Sequence, residues 1–498
     1  MHTLTLLIKT TKYDEQQINR RFYAYQRIHN VAVKRVCKLI TRLERNEDYK
    51  QYLAEYKLLL QKQKLNTSEK QRKLQLSKEL SDIRTGSGFS KANLYAYLKV
   101  IGKKHKNLLS SQQVQSIANR VWISVEKYLF GDGKHINFKK FTDVNTIGGT
   151  SNLNGVRFRK ETMSATWLGL TLQTKLPNDI SYINESLDNK ISYCEVKRMM
   201  FNNGYHYYLV IYLDGEAPKK LTNLNNDSKC GIDPGVSTVA AVSDKQLFLT
   251  ELAPKSKKYN KQISKLQGKL DRSLRATNPS KYNADGTINK HNKSKWIKSK
   301  TYKKLQRQLR TLYRKKSAYI KQSHERLCND LIKTSNNFIV EHMSFIGLAK
   351  KVKETKRQEK PSVINNKTVF KYKKKRRFGT SINNRAPALF LLRLQQKCNQ
   401  YGLQYQEVDT MKFKASQYNH LSDDYIKIPL KQRSKLIGSD TVQRDLYSAF
   451  LIKNADLITM KPDRNLCLND FAMFVKLQNE LIETMMNNNI SMKQCFGF

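Results

Sequence analysis

The sequence predicts an α+β multidomain chain: a helical layer, a β-barrel-like domain, and an α/β domain broken by a helical insertion. Three observations predict it. Helical periodicity holds from Asp14 to about Leu129, alternation of apolar and polar residues takes over at 135–215, and from Cys230 onward strands and helices alternate. The 498 residues are 39% hydrophobic and 10% aromatic. That is enough apolar material for several cores, and the length suits about two to four domains.

The elements follow in order. Residues 3–9 (TLTLLIK) read as a strand. Helices are expected near 15–45, 50–63 and 68–83, and another opens at Ser110 with Val114, Ile117, Val121 and Val125 at helical spacing. These make a helical recognition layer over 14–133. The segments HINFKKF, GVRFRKE, LGLTLQT, ISYCEVKRMM and YHYYLVIYL are separated by GG, NG and NNG turns. With the first strand they form a β-rich wedge domain, 1–13 and 134–226. CGIDPGVSTVAAVSD then reads as strand, turn and strand, and two helical stretches fill 255–321 around a polar loop. FIVEH at 338–342 is a compact strand, a helix is expected near 387–400, and a strand at 403–409 completes an αβ step. Helices at 441–457 and 465–487 close the chain. This last domain spans 227–414 and 441–498, with a helical insertion at 253–330 and a basic lid at 350–380.

Composition narrows the partners. There are 92 Lys and Arg against 41 Asp and Glu, a net charge of +51. Such a charge repels itself unless a polyanion shares it, and nucleic acid is the foremost candidate. The segment 255–321 holds 22 basic and 2 acidic residues, and 350–377 holds 13 and 2. No apolar run reaches about 18 residues, so no membrane span is expected. The opening MHTLTLLIKTTKYDEQQ is too short in its apolar part for a signal peptide. The seven cysteines form no CxxC pair, which argues against a disulfide framework and fits a reducing cytoplasm. The nine histidines give no metal-ligand pair, and no GxxxxGKS loop indicates ATP use.

On so basic a chain, carboxylates placed on apolar elements carry information. Asp233 lies in GIDPG, where a plain β-turn would also account for it. Glu341 ends the strand Phe338–Val340; buried, it needs a partner, and an exposed strand edge is the alternative. Asp445 shares a helix face with Ala449 and Ile452, and a salt bridge to Arg444 or Lys453 would equally satisfy it. Their order is more telling than any one of them. An Asp on the first strand of a hairpin, a Glu closing a later strand and an Asp on a following helix is the arrangement of an RNase H-like nuclease. In that chemistry carboxylates bridge two Mg²⁺ ions roughly 3.5–4 Å apart. Oxygen ligands suit Mg²⁺, with Mn²⁺ as a substitute.

GIDPGVSTVAAVS resembles the first RuvC motif of the transposon-encoded TnpB nucleases and of the compact type V CRISPR effectors. FIVEHMSFIGLAKK is similar to their second motif, VQRDLYSAFLI to their third, and FKKF at 138–141 to a segment upstream of the nuclease domain. The resemblance covers most of the chain, with its strong motifs after residue 230. It implies a RuvC-like domain with Asp233, Glu341 and Asp445 as metal-binding catalytic residues. It further implies an RNA-guided DNA endonuclease in a prokaryotic cell, with a guide RNA and a target double-stranded DNA bearing a short flanking motif as partners.

The chain departs from the pattern twice. The family's zinc ribbon would fall at 415–440, where there is no cysteine, so a degenerate nucleic-acid-binding segment without zinc is expected. Tyr447 stands where the third motif usually has Asn. Asp440 and Asp463 compete with Asp445 as third ligand, and each also reads as a helix N-cap. For nucleic-acid contact we single out Phe138, Lys139 and Lys140, the lid residues Lys373, Lys374, Lys375, Arg376 and Arg377, and Arg433 and Lys435 beside the displaced strand. Outward lysines on an ordinary strand and a solvated loop are the plain alternatives for the first two groups. Two other functions remain open: a nuclease-inactive RNA-guided binding protein, and a guide-independent transposase.

Overall fold

A computed structural model of the chain describes residues 1–62, 64–131, 133–221, 224, 228–349, 362–364, 367–369, 378–429, 432–488 and 490. Two compact units emerge, Met1–Pro218 and Lys219–Phe498.

In the first unit, β1 (His2–Ile8) buries Leu4, Leu6 and Ile8 on one face, as strand alternation requires. A capping box of Thr11 and Asp14 starts α1 (Lys12–Leu43). Ile18, Phe22, Tyr25, Ile28, Ala32 and Val36 recur every three or four residues along α1 and are all buried. Helices α2 (Glu47–Gln61), α3 (Thr67–Gly86), α4 (Lys91–Lys103) and α5 (Ser111–Phe130) follow. The sequence reading missed α4. Strands β2 (Thr146–Gly148), β3 (Val156–Arg159), β4 (Ser164–Trp167) and β5 (Leu170–Lys175) lead to the short helix α6 (Ser181–Ser186). The long hairpin β6 (Ile191–Phe201) and β7 (Gly204–Leu213) completes the unit. The strands form one antiparallel sheet in the order β2-β6-β7-β1-β5-β4-β3. This corrects the barrel-like expectation: β2 and β3 lie at opposite edges and do not pair with each other, so the described strands do not close. The segments 149–155 and 160–163 form loops and turns between strands. HINFKKF forms no strand either. Gln26 and Asn30 of α1 hold the backbone of Lys139 through hydrogen bonds of 2.8–2.9 Å, occupying the groups a strand partner would need. Helices and sheet, separate domains in the sequence reading, share one core that includes Phe22, Val121, Trp167 and Leu209.

The second unit is built on β8 (Lys229–Pro234), β9 (Thr238–Ser243) and β10 (Leu247–Glu251), the last unforeseen. Helices α7 (Ser256–Thr277) and α8 (Lys300–Thr334) form the insertion. Next come β11 (Asn337–His342), the short helix α9 (Phe345–Ala349) and a small pair, β12 (Ser362–Ile364) and β13 (Lys367–Val369). Helices α10 (Gly379–Arg385) and α11 (Pro387–Tyr401) precede β14 (Gln404–Asp409) and α12 (Thr410–Phe413). Between 415 and 443 lie two hairpins, β15 (Tyr418–Asn419) with β16 (Asp424–Tyr425) and β17 (Ser434–Ile437) with β18 (Asp440–Gln443). The second hairpin runs directly into α13 (Arg444–Lys453). A last bridge, β19 (Ala455–Asp456) with β20 (Lys461–Pro462), leads to α14 (Arg464–Asn487).

The main sheet has the order β10-β9-β8-β11-β14. β8, β9 and β10 are antiparallel neighbours, and β11 runs parallel to both β8 and β14. Alternate residues serve opposite sides. Cys230, Ile232, Phe338 and Val340 pack with residues of α8 and α11, and Ala240, Val242, Ile339 and Val408 with residues of α13 and α14. Helices therefore cover both faces, the stable arrangement for strands apolar on each side.

Candidate functional site

Strand period decides where the carboxylates face. Gly231 and Asp233 lie on the face of β8 opposite Cys230 and Ile232, and Ile339 and Glu341 share a face of β11. Both pairs thus face α13. The parallel register sets Val340 beside Ile232, which carries Glu341 on to Asp233 one step later. Gly231 lets α13 lie against the strand. A Cβ there would overlap the carbonyl oxygen of Ala449 and the backbone nitrogen of Lys453, and would sit 2.7 Å from the Lys453 Cα. That close seat brings the first turn of α13, and Asp445 with it, to the same end of the sheet.

Asp233, Glu341 and Asp445 line one cavity of about 760 Å³ together with Thr410, Arg433 and Arg444. Glu341 is 8% exposed. Burial pushes the Asp233 carboxyl well above its ordinary range, and the negative charges of Glu341 and Asp445 push it further; Arg444 opposes them. Burial likewise raises Glu341, against hydrogen bonds from Thr410 and Asp233 that lower it. The two carboxyl groups meet through a side-chain hydrogen bond.

Asp445 is held differently. Arg444 donates from Nε and Nη2 to its Oδ1 at 3.0 and 2.7 Å. Arg433 donates from Nη1 to Oδ2 at 3.4 Å. The salt bridge to Arg444 weighed from the sequence is therefore present, while Lys453 pairs with Asp244 and Asp470 instead. Among the described residues no three His, Cys, Asp or Glu side chains converge closely enough to hold a metal ion as they stand. The donors nonetheless suit one in kind. The buried carboxyl groups of Asp233 and Glu341 are hard oxygen donors, and a third, from Asp445, lies in the same cavity.

The competitors are placed elsewhere. Asp440 is on β18, opposite Ile437, and Gln443, not Asp440, caps α13 by accepting from the Leu446 N–H at 2.6 Å. Asp463 caps α14 through the Leu466 N–H. Tyr447 is buried and points away from the cavity into 415–440, where its hydroxyl meets His420 at 2.8 Å. Lys435 is also turned inward: 8% exposed, it donates to the Tyr418 carbonyl at 2.7 Å and lies over the Tyr447 ring. That placement corrects its assignment as a nucleic-acid contact. Its alternation on β17 with exposed Leu436 put the lysine on the inner face, where a carbonyl and an aromatic ring satisfy it. Phe138 and Lys140 are exposed in the first unit, and Lys139 is part-buried. Lys373, Lys374, Lys375, Arg376 and Arg377 lie outside the described residues. The sequence reading missed Thr410 and the role of Gly231. A glycine two residues before an inward carboxylate was the available signal for Gly231.

No family model matches the sequence, and no curated protein matches it. Among solved structures, the chain is similar to the cryo-EM structure of a Cas12f1–sgRNA–target DNA complex. Its TM-score is 0.43 at 12% identity, covering 91% of this chain and 98% of that one. It is also similar to a CRISPR-Cas12f ternary complex, with a TM-score of 0.29 at 13% identity, covering 91% and 99%.

Proposed function

We propose that this chain is an RNA-guided DNA endonuclease, with guide RNA and target double-stranded DNA as its partners. One observation carries the reading. Asp233, Glu341 and Asp445, more than a hundred residues apart in sequence, line a single cavity on one face of the sheet. Their elements are the first strand of an antiparallel hairpin, a parallel neighbour and a helix lying across both, as the RNase H-like reading requires. The resemblance of the three motifs to RuvC motifs points the same way, as does a net charge of +51.

Asp233 and Glu341, joined by Asp445, are the residues that would hold divalent metal. Mg²⁺, or Mn²⁺ in its place, would supply polarisation of a phosphodiester and an activated water. The chain's own residues have separate tasks. The sheet fixes Asp233 and Glu341 in register, so neither needs to be ordered when substrate arrives. Thr410, whose hydroxyl bonds the His342 carbonyl, stands beside Glu341 and favours its charged form. Arg433 and Arg444 offer guanidinium groups to a phosphate entering the cavity.

The test is purification from the host followed by sequencing of bound RNA, then cleavage of a matched duplex in Mg²⁺. One defined RNA species and cutting of matched DNA are expected. Asp233→Ala should lose cleavage by at least about a hundredfold while keeping target binding. A variant that cuts normally would show the site to be misassigned. A second reading, guided binding without cutting, is favoured by the guanidinium groups that occupy both oxygens of Asp445. Matched DNA bound yet uncut in excess Mg²⁺ would select it.

A further inference from the structure

The three carboxylates are not alike. Asp233 and Glu341 bond to each other, whereas both oxygens of Asp445 are taken by arginines. Asp445 is 13% exposed, Arg444 11% and Arg433 28%. Arg444 also donates to the Gln432 carbonyl at 3.3 Å, and its backbone N–H bonds the Arg433 carbonyl at 2.8 Å. The two arginines are therefore tied to the start of β17 and to the first turn of α13. Both line the cavity, so both can be reached by a ligand inside it.

Guanidinium binds phosphate with the same planar N–H fork that it offers carboxylate. A phosphodiester in the cavity competes with Asp445 for Arg433 and Arg444. Once the arginines turn to phosphate, the oxygens of Asp445 are freed beside the Asp233–Glu341 pair, and the three together offer a cation hard oxygen ligands. We propose that Arg433 and Arg444 form a phosphate-displaceable latch on Asp445, which completes the cation site only when nucleic acid occupies the cavity. Both are positioning residues, acting through Asp445. The inference rests on the nuclease reading above. Linkage makes it reciprocal: nucleic acid tightens cation binding, and the cation tightens nucleic-acid binding by the same factor.

The test reads cation binding directly. Mn²⁺ is titrated into the full-length protein and followed by its electron paramagnetic resonance signal, with and without a short single-stranded DNA. Asp233→Ala with the same DNA is the blank for ions held by the DNA alone. The wild type should bind Mn²⁺ about tenfold more tightly with DNA present. The R433Q/R444Q variant should bind it about tenfold more tightly than wild type without DNA and respond little to DNA. Because Arg444 also supports β17, the single variant R433Q is a second probe, with a gain of about threefold expected. Mn²⁺ binding that ignores both the DNA and these substitutions overturns the latch alone. Failure of Mn²⁺ to bind above the blank in every variant overturns the nuclease reading, and the latch with it.

Discussion

Asp233 shows what a functional carboxylate costs. It is desolvated, stands against Glu341, and feels the charge of Asp445. Replacing one member of such a group removes repulsion without leaving a charge unpaired. Asp233→Asn should therefore stabilise the second unit by about 1–2 kcal/mol while losing cleavage, the usual trade where a site is built against stability. Urea unfolding near neutral pH measures it, and a lower midpoint than wild type would contradict the reading. Gly231 is the opposite case. Its missing side chain stabilises, because α13 occupies the space a Cβ would need. The obstructing atoms are backbone, which yields less readily than a flexible side chain. Gly231→Ala should cost about 3 kcal/mol, seen as a lower urea midpoint with an unchanged slope.

At the scale of elements, the segment 415–440 replaces what the family resemblance led us to expect with polar groups buried among aromatic rings. His420 is fully buried, packs on Phe471 and Phe450, and hydrogen-bonds Tyr447. Arg464 ties α14 to the carbonyls of His420 and Leu421. Burial lowers the His420 pKa to about 4, with the charges of Arg464 and Lys435 adding to it. A histidine whose folded pKa is depressed stabilises above its unfolded value of about 6.5 and loses that stability as pH falls toward 4. Between pH 7 and 5 the loss is about 2 kcal/mol for His420. His29 and His324, also lowered to about 4 by burial, act with the same sign. The melting temperature should fall over this window, and His420→Phe should fall less steeply than wild type. Parallel pH profiles for the two proteins would remove His420 from the account.

For the whole molecule, the charge has a specific distribution. Lys258, Lys261, Lys265, Lys269 and Arg272 recur every three or four residues along α7, all exposed. Among the described residues none of the five has an ion pair with a carboxylate. At 1.5 Å rise per residue they extend about 21 Å. A stripe of this kind neutralises phosphates and releases counterions, so its contribution reads out as salt dependence. For the full chain binding a DNA duplex, K261E/K265E/K269E should flatten the slope of log K against log salt by about 2–3. An unchanged slope would place the contacts elsewhere.

How much of this was legible beforehand varied with the kind of signal. Periodicity is a local property, so α1, α5, α7, α8 and α14 were visible from spacing alone, and so was the strand nature of 229–234, 238–243 and 337–342. The barrel-like expectation and the strand at HINFKKF failed because alternation does not say which edges pair, nor that Gln26 and Asn30 claim the backbone at 139. Asp233, Glu341 and Asp445 could be named from their scarcity and order. By itself, then, the sequence determined the element types, the polyanion-seeking charge and the three carboxylates worth watching. Only the tertiary structure decided that Gly231 admits α13, that Lys435 turns inward, and that two arginines hold Asp445. Each of these depends on which groups meet across a fold, and such encounters are set by packing between residues far apart in the chain.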